Sequence, residues 1–197
     1  MRNLELKKNL RLLAILFVSA LAFNACSDDD HDDHDDHDDH EDHEEINRMI
    51  YTLTNSENAS DLVIMTFDDP DGEGGADGTT TVEGELTANA SYSGALQFLH
   101  VHEDGDIDDI GADIAEDEAD EHEVFYSTSL LTIERLDDDA DGNPLGMNTT
   151  VTSGDAGSGS LTITLVHEGK KPNAGLEDAL SEGGTPDIEQ SFPITVE

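Results

Sequence analysis

Ser91-Tyr92-Ser93-Gly94-Ala95-Leu96-Gln97-Phe98-Leu99-His100-Val101-His102 places Tyr92, Leu96, Phe98, His100 and His102 at separations that are all multiples of two residues. That period puts them on one face of an extended segment, whereas a helix would scatter them around its circumference. The same grammar continues on both sides. Residues 49–54 and 62–67 are rich in β-branched and aromatic side chains, and the turn-like Asn55-Ser56-Glu57-Asn58 between them predicts a hairpin. A long Gly/Asp loop follows at 68–78, then candidate strands at 79–86, 91–102, 123–127, 130–136, 147–152, 160–167 and 188–196. Pro193, which has no N–H to give to a ladder, demotes part of the last strand to an edge or a bulge.

One helical interlude is expected. Ile107, Ile110 and Ile114 recur at helical spacing, with acids filling most positions through Glu121, so a short acidic helix or ordered loop should cross between sheets and cover a sheet edge. Eight or nine short strands separated by Gly, Asp and Asn turns predict an all-β fold over residues 46–197, an antiparallel immunoglobulin-like β-sandwich. The likeness is architectural, because the chain has no Trp and a single Cys.

Upstream of this domain the sequence changes character twice. Arg2, Lys7, Lys8 and Arg11 precede an apolar run at 12–23, and small Ala25 precedes Cys26, so residues 1–25 read as a signal peptide. The run is shorter than the roughly 20 residues that span a bilayer as a helix. A lone cysteine at that point predicts a lipoprotein, since exported chains otherwise tend to pair their thiols. Several acyl chains on Cys26 would anchor the protein stably without spanning the membrane. Residues 28–45 contain only Asp, Glu and His, with His31, His34, His37, His40 and His43 at every third place. With no apolar side chain to bury, residues 26–45 are expected to be a disordered tether.

Cys26-Ser27-Asp28-Asp29-Asp30 resembles the start of Bacteroidota lipoproteins, in which acids after the lipidated cysteine direct export to the outer face of the outer membrane. Three further stretches, Glu121-His122-Glu123-Val124-Phe125-Tyr126, Asp139-Ala140-Asp141-Gly142-Asn143-Pro144-Leu145-Gly146 and His167-Glu168-Gly169-Lys170-Lys171-Pro172-Asn173, resemble a family of small acidic, His/Asp-rich lipoproteins from the same bacteria. The resemblance implies a β-rich domain behind a His/Asp tract and an outer-membrane location, with the lipid anchor facing the cell exterior. Some members are similar to accessory lipoproteins encoded beside TonB-dependent receptors, and some carry an automatic label as type 1 periplasmic-binding folds. An open α/β lobe of that type should alternate strands with helices of about ten or more residues, and the chain offers one helix candidate.

Charge sharpens the choice of partners. The chain carries 48 acids against eight Lys and Arg, for a formal net charge of −40. Loss of residues 1–25 removes half of those cations and one acid, leaving about −43. Nucleic acid and anionic lipid surfaces are repelled by such a chain, and divalent cations are its natural partners.

Three sets of residues point to metals. The tract histidines suit zinc, copper or nickel through neutral imidazole, and in an extended three-residue turn all five line one side. The plainer alternative is a charged spacer. Asp137, Asp139 and Asp141, followed by Gly142, have the alternating opening of a calcium loop, but the twelfth position is Asn148 rather than Glu and Asp/Gly/Asn is also turn chemistry. Asp69, Asp71 and Glu73 form a weaker version of the same pattern. Finally, His100, His102 and His167 all stand at strand ends on core-directed faces, where three imidazoles could converge on zinc; the alternative is rim histidines bonded to neighbouring acids.

No Gly-rich phosphate loop, G-x-S-x-G elbow or H-E-x-x-H helix occurs, and paired carboxylates are too abundant to mark a glycosidase site. No enzyme is expected. The sequence leaves two main readings, a zinc-type cation-binding accessory to an outer-membrane receptor and a calcium-stabilised adhesion or interaction module, with a hydrolase as a third that would demand a concave site holding a strongly perturbed acid.

Overall fold

The structure is a computed structural model that describes residues 45–72 and 77–197. Residues 1–25, read above as a signal peptide, Cys26, the five tract histidines His31, His34, His37, His40 and His43, and Glu73 lie outside the described residues.

Two antiparallel sheets face each other. The larger contains β1 (Arg48–Asn55), β2 (Leu62–Asp68), β3 (Thr79–Glu83), β4 (Ser91–Val101), β5 (Ile107–Asp108), β7 (Leu131–Arg135) and β8 (Asn148–Ser153). Its order is β3-β2-β1-β4-β8-β7, with the two-residue β5 hung on the end of β4. The smaller contains β6 (His122–Ser127), β9 (Gly157–His167) and β10 (Thr185–Val196), in the order β10-β9-β6. Among the described residues no helix is long and apolar enough to cross a membrane.

The two-residue period explains the layering. In β4 the residues Tyr92, Gly94, Leu96 and Phe98 are buried while Ser91, Ser93, Ala95 and Gln97 are exposed. They meet Met49, Tyr51 and Leu53 of β1, Val63, Met65 and Phe67 of β2, and, from the opposing sheet, Val124, Leu161, Ile163, Leu165, Ile188 and Phe192. Burial of each such side chain contributes about 1.5–3 kcal/mol, so this one interlayer core supplies the main driving force for the domain. Gly94 is a required absence. A Cβ there would collide with Tyr51 and Thr149, whose hydroxyls hydrogen-bond at 2.7 Å inside the core.

The expected helix forms as α1 (Ile110–Asp117), starting later than the isoleucine spacing suggests. Ile107 belongs to β5, where it pairs with Val101 and is exposed. Asp109 caps α1 by accepting the Ala112 N–H at 3.1 Å. Ile114 and Gly111 turn inward, and α1 lies over β4 where β8 has stopped pairing with it. A second short helix, α2 (Leu176–Ser181), is not announced by any periodicity. It sits in the excursion 168–184 between β9 and β10, with Leu176 and Ala179 packed on Phe125 and Val166.

Pro193 lies in β10, an edge strand. Two and four residues on, Thr195 accepts from the Leu86 N–H and the Glu197 N–H donates to the Leu86 carbonyl, so this parity faces away from β9. The missing N–H of Pro193 therefore interrupts no bond of the ladder. The irregularity in β10 sits elsewhere, between Pro186 and Ile188.

Candidate metal centre

The buried histidine of the domain is His122, the first residue of β6. It stands directly across from His167, the last residue of β9, and the two imidazoles stack with centroids 4.6 Å apart and planes 5° from parallel. Val124 and Leu165 continue the same inward face, so both rings close one end of the core. On the other side of β9, the shift of register between Pro186 and Ile188 leaves Asp187 as the extra residue of a bulge. Such a bulge re-aims a side chain that a regular ladder would hold elsewhere. It brings Asp187 Oδ2 to 3.4 Å from His122 Nε2, with both side chains fully buried. Among the described residues His122, His167 and Asp187 are the set of three whose ligand atoms lie within 4.8 Å of one another.

The orientation of His122 is set from behind. Glu118, the residue that caps the end of α1, presents its carbonyl to His122 Nδ1 at 3.2 Å. With Nδ1–H donating there, Nε2 carries the lone pair of the neutral ring and faces Asp187. A lone pair and a carboxylate oxygen this close repel each other unless a proton or a metal ion lies between them. A proton is one answer. Burial pulls the imidazole pKa down, but the Asp187 carboxylate and the Glu118 carbonyl outweigh it and the net shift is upward. A metal ion is the other. In a tetrahedral site with bonds of about 2.1 Å, ligand atoms stand about 3.4 Å apart, which matches the His122–Asp187 separation. Two imidazoles and a carboxylate suit zinc-class ions over calcium or magnesium, which prefer all-oxygen sets. Glu121 Oε2 lies 3.6 Å from His167 Nε2 at the solvent rim and is outside the group of three.

The sequence-derived ligand sets fare differently. His100, His102 and His167 do not converge, because β4 and β9 belong to opposite sheets and His167 has His122 for its neighbour. His100 and His102 touch each other at 4.4 Å between ring centroids, but His100 Nδ1 engages the Glu45 carbonyl at 2.8 Å and His102 Nε2 engages Asp108 Oδ2 at 2.7 Å. They are rim histidines bonded to neighbouring groups. The His102 pKa is raised, chiefly by that Asp108 contact.

Asp137, Asp139 and Asp141 are not gathered as a ligand set either. Asp137 accepts from the N–H groups of Gly146, Met147 and Asn148, and Asp139 Oδ1 from those of Asp141 and Asn143. The loop's own backbone donors take the place that calcium would fill, which is how Asp stabilises turns. Asp139 also receives Lys171 Nζ at 3.4 Å, and both side chains are buried. Burial alone would raise the Asp139 carboxyl, but the Asn143 and Asp141 donors and the Lys171 charge hold it below the usual carboxylate range.

The three stretches quoted above for their family resemblance meet here. Lys171 bonds Asp139 and the Ala119 carbonyl, Asn173 bonds Glu123, His167 stacks on His122, and Val124 and Tyr126 bond the carbonyls of Leu145 and Gly146. Arg135 completes the network on Glu123, while Arg48 pairs with Asp68 and Lys170 with Glu182. All four basic side chains of residues 46–197 are therefore engaged with acids, and none contributes to a phosphate-binding patch. No protein-family model, curated protein or solved structure matches this chain.

Proposed function

We propose that the protein is a lipid-anchored outer-membrane protein, facing the cell exterior, that binds zinc-type divalent cations and serves as accessory to an outer-membrane receptor. The observation that carries the metal assignment is the buried His122–Asp187 approach beside His167, with the His122 tautomer fixed by the Glu118 carbonyl. The tract histidines support it as a second, looser set that raises the local metal concentration. The −40 net charge supports cations over anions as ligands. A β-sandwich interaction module is the second reading, favoured by a groove of about 980 Å³ on the outer face of the β6-β9-β10 sheet.

Calorimetric zinc titration of the full chain tests the metal assignment. Wild type is expected to take up several equivalents near pH 7.5, and a variant with His31, His34, His37, His40 and His43 changed to Asn should retain one. Adding His167→Gln to that variant should abolish the last equivalent. Uptake should weaken towards pH 5.5, because protons compete with zinc for the imidazoles. Calcium should not substitute. A tract-altered variant that binds no zinc removes the domain site, and undiminished capacity after the tract changes reduces the tract to a charged spacer.

Anchoring has its own test. Cys26→Ser should leave the precursor uncleaved or release the protein from the membrane fraction. Unchanged fractionation and acylation would overturn the lipoprotein assignment.

A further inference from the structure

We propose that the cation held by His122, His167 and Asp187 acts as a clasp at the root of the 168–184 excursion, and so governs one wall of the groove beside it. The inference rests on the metal-binding reading above and adds what the metal does there.

The topology places the ligands at the two stems. His167 ends β9, the excursion with α2 follows, and Asp187 lies in the bulge just after β10 begins, so one ion would join both stems. His122, from β6, would tie them to the sheet itself. Closing a loop in this way removes conformations from its open state. The stems already approach closely at Gly169 and Gly184. A Cβ on Gly184 would lie 2.8 Å from the Gly169 Cα and 2.7 Å from Val166 Cγ1.

Outside the clasp, the strongest tie of the excursion is Lys171, whose buried ammonium meets Asp139 and the Ala119 carbonyl near its start, and the α2 part has fewer. Its apolar contact with the sheet is the small cluster of Leu176 and Ala179 on Phe125 and Val166, separate from the main core. Asn173 adds a bond to Glu123, whereas Lys170 reaches Glu182 within the excursion at 3.7 Å, with both side chains half exposed. A segment with so few buried contacts is one that opens locally before the domain unfolds. The groove depends on it. Leu176, Asp178 and Ser181 form one wall, opposite Phe125, Thr164 and Glu189 on the sheet. Without the clasp that wall lifts more often against these remaining ties; with it, the groove keeps its shape.

The chain carries a built-in probe of this opening. Lys170 is the one site in the excursion where trypsin can cut, because Lys171 is followed by Pro172. The full chain with the five tract histidines changed to Asn should be digested with and without a slight excess of zinc, following fragments by mass. Zinc is expected to slow cleavage after Lys170 at least tenfold and by clearly more than cleavage after Arg135, which lies in β7 and reports opening of the larger sheet. His167→Gln should remove the effect, calcium should not produce it, and a free peptide substrate controls for any action of zinc on the protease. If calorimetry shows zinc bound and the Lys170 rate is unchanged, or both sites are protected equally, the clasp is wrong and the binding site stands. If no zinc binds, the site assignment fails and the clasp fails with it.

Discussion

Phe98→Ala is expected to remove about 3–5 kcal/mol of stability, the range for deleting a buried aromatic side chain and leaving part of its volume empty. Phe98 is fully buried in β4, opposite Met49 of β1, and belongs to the cluster that joins the two sheets. The backbone over it is pinned as well, since Gly111 of α1 sits close above the Phe98 N–H. Neighbours fixed on these sides cannot collapse into the hole, which places the loss towards the upper end. Small domains have only about 5–15 kcal/mol in total, so the variant should shift its urea midpoint by a large fraction of the wild-type value without a change of slope. Gln97→Ala, on the exposed face of the same strand, should stay within about 0.5 kcal/mol. A Phe98→Ala midpoint indistinguishable from that control would mean that the sheets do not share this core.

The contrast between Phe98 and Asp187 shows which parts of the molecule were legible in the sequence. Strand period is a local property, so alternation at Tyr92, Leu96 and Phe98, or at Leu161, Ile163 and Leu165, reveals the sandwich before any pairing is known. The acidic helix was legible for the same reason, although Ile107 was claimed by β5. Six residues of α2 are too few to display a period, and its apolar contact is only a pair of side chains. The candidate set of His122, His167 and Asp187 was half visible. His167 stood out as a strand-end histidine on the core face, but its partner depended on β6 lying antiparallel beside β9, which no spacing encodes. His122 appeared only within a stretch quoted for resemblance, and Asp187 reaches the site through a bulge. The Asp137–Asp141 loop has two readings for a chemical reason. Carboxylates that accept backbone N–H groups and carboxylates that ligate calcium occupy the same sequence pattern, and only the positions of the donors separate them.

Lys171→Met is expected to cost about 3 kcal/mol at neutral pH, because it leaves the Asp139 carboxylate buried without its countercharge. The two side chains are 5% and 1% exposed, and Lys171 also donates to the Ala119 carbonyl at 2.7 Å, joining the excursion, the Asp139 loop and the turn after α1. The donors from Asp141 and Asn143 remain in the variant, which keeps the loss at the low end of what breaking a buried pair costs. Replacing both partners, as Lys171→Met with Asp139→Asn, should cost less than Lys171→Met alone, since no unpaired charge is then buried. The pH dependence follows from the lowered Asp139 pKa. A depressed carboxyl contributes stability that is present above its unfolded value, near 3.8, and is lost as pH falls through the lower folded value. In Lys171→Met the carboxyl loses one of the influences that lower it, so its protonation should begin at a higher pH than in wild type. The two proteins, far apart at pH 7, should therefore converge in urea midpoint as the pH is lowered past the wild-type transition, where Asp139 is neutral in both. A gap that persists undiminished in acid would assign the Lys171 contribution to packing and the Ala119 bond, and would remove the ion pair as the link that holds the three stretches together.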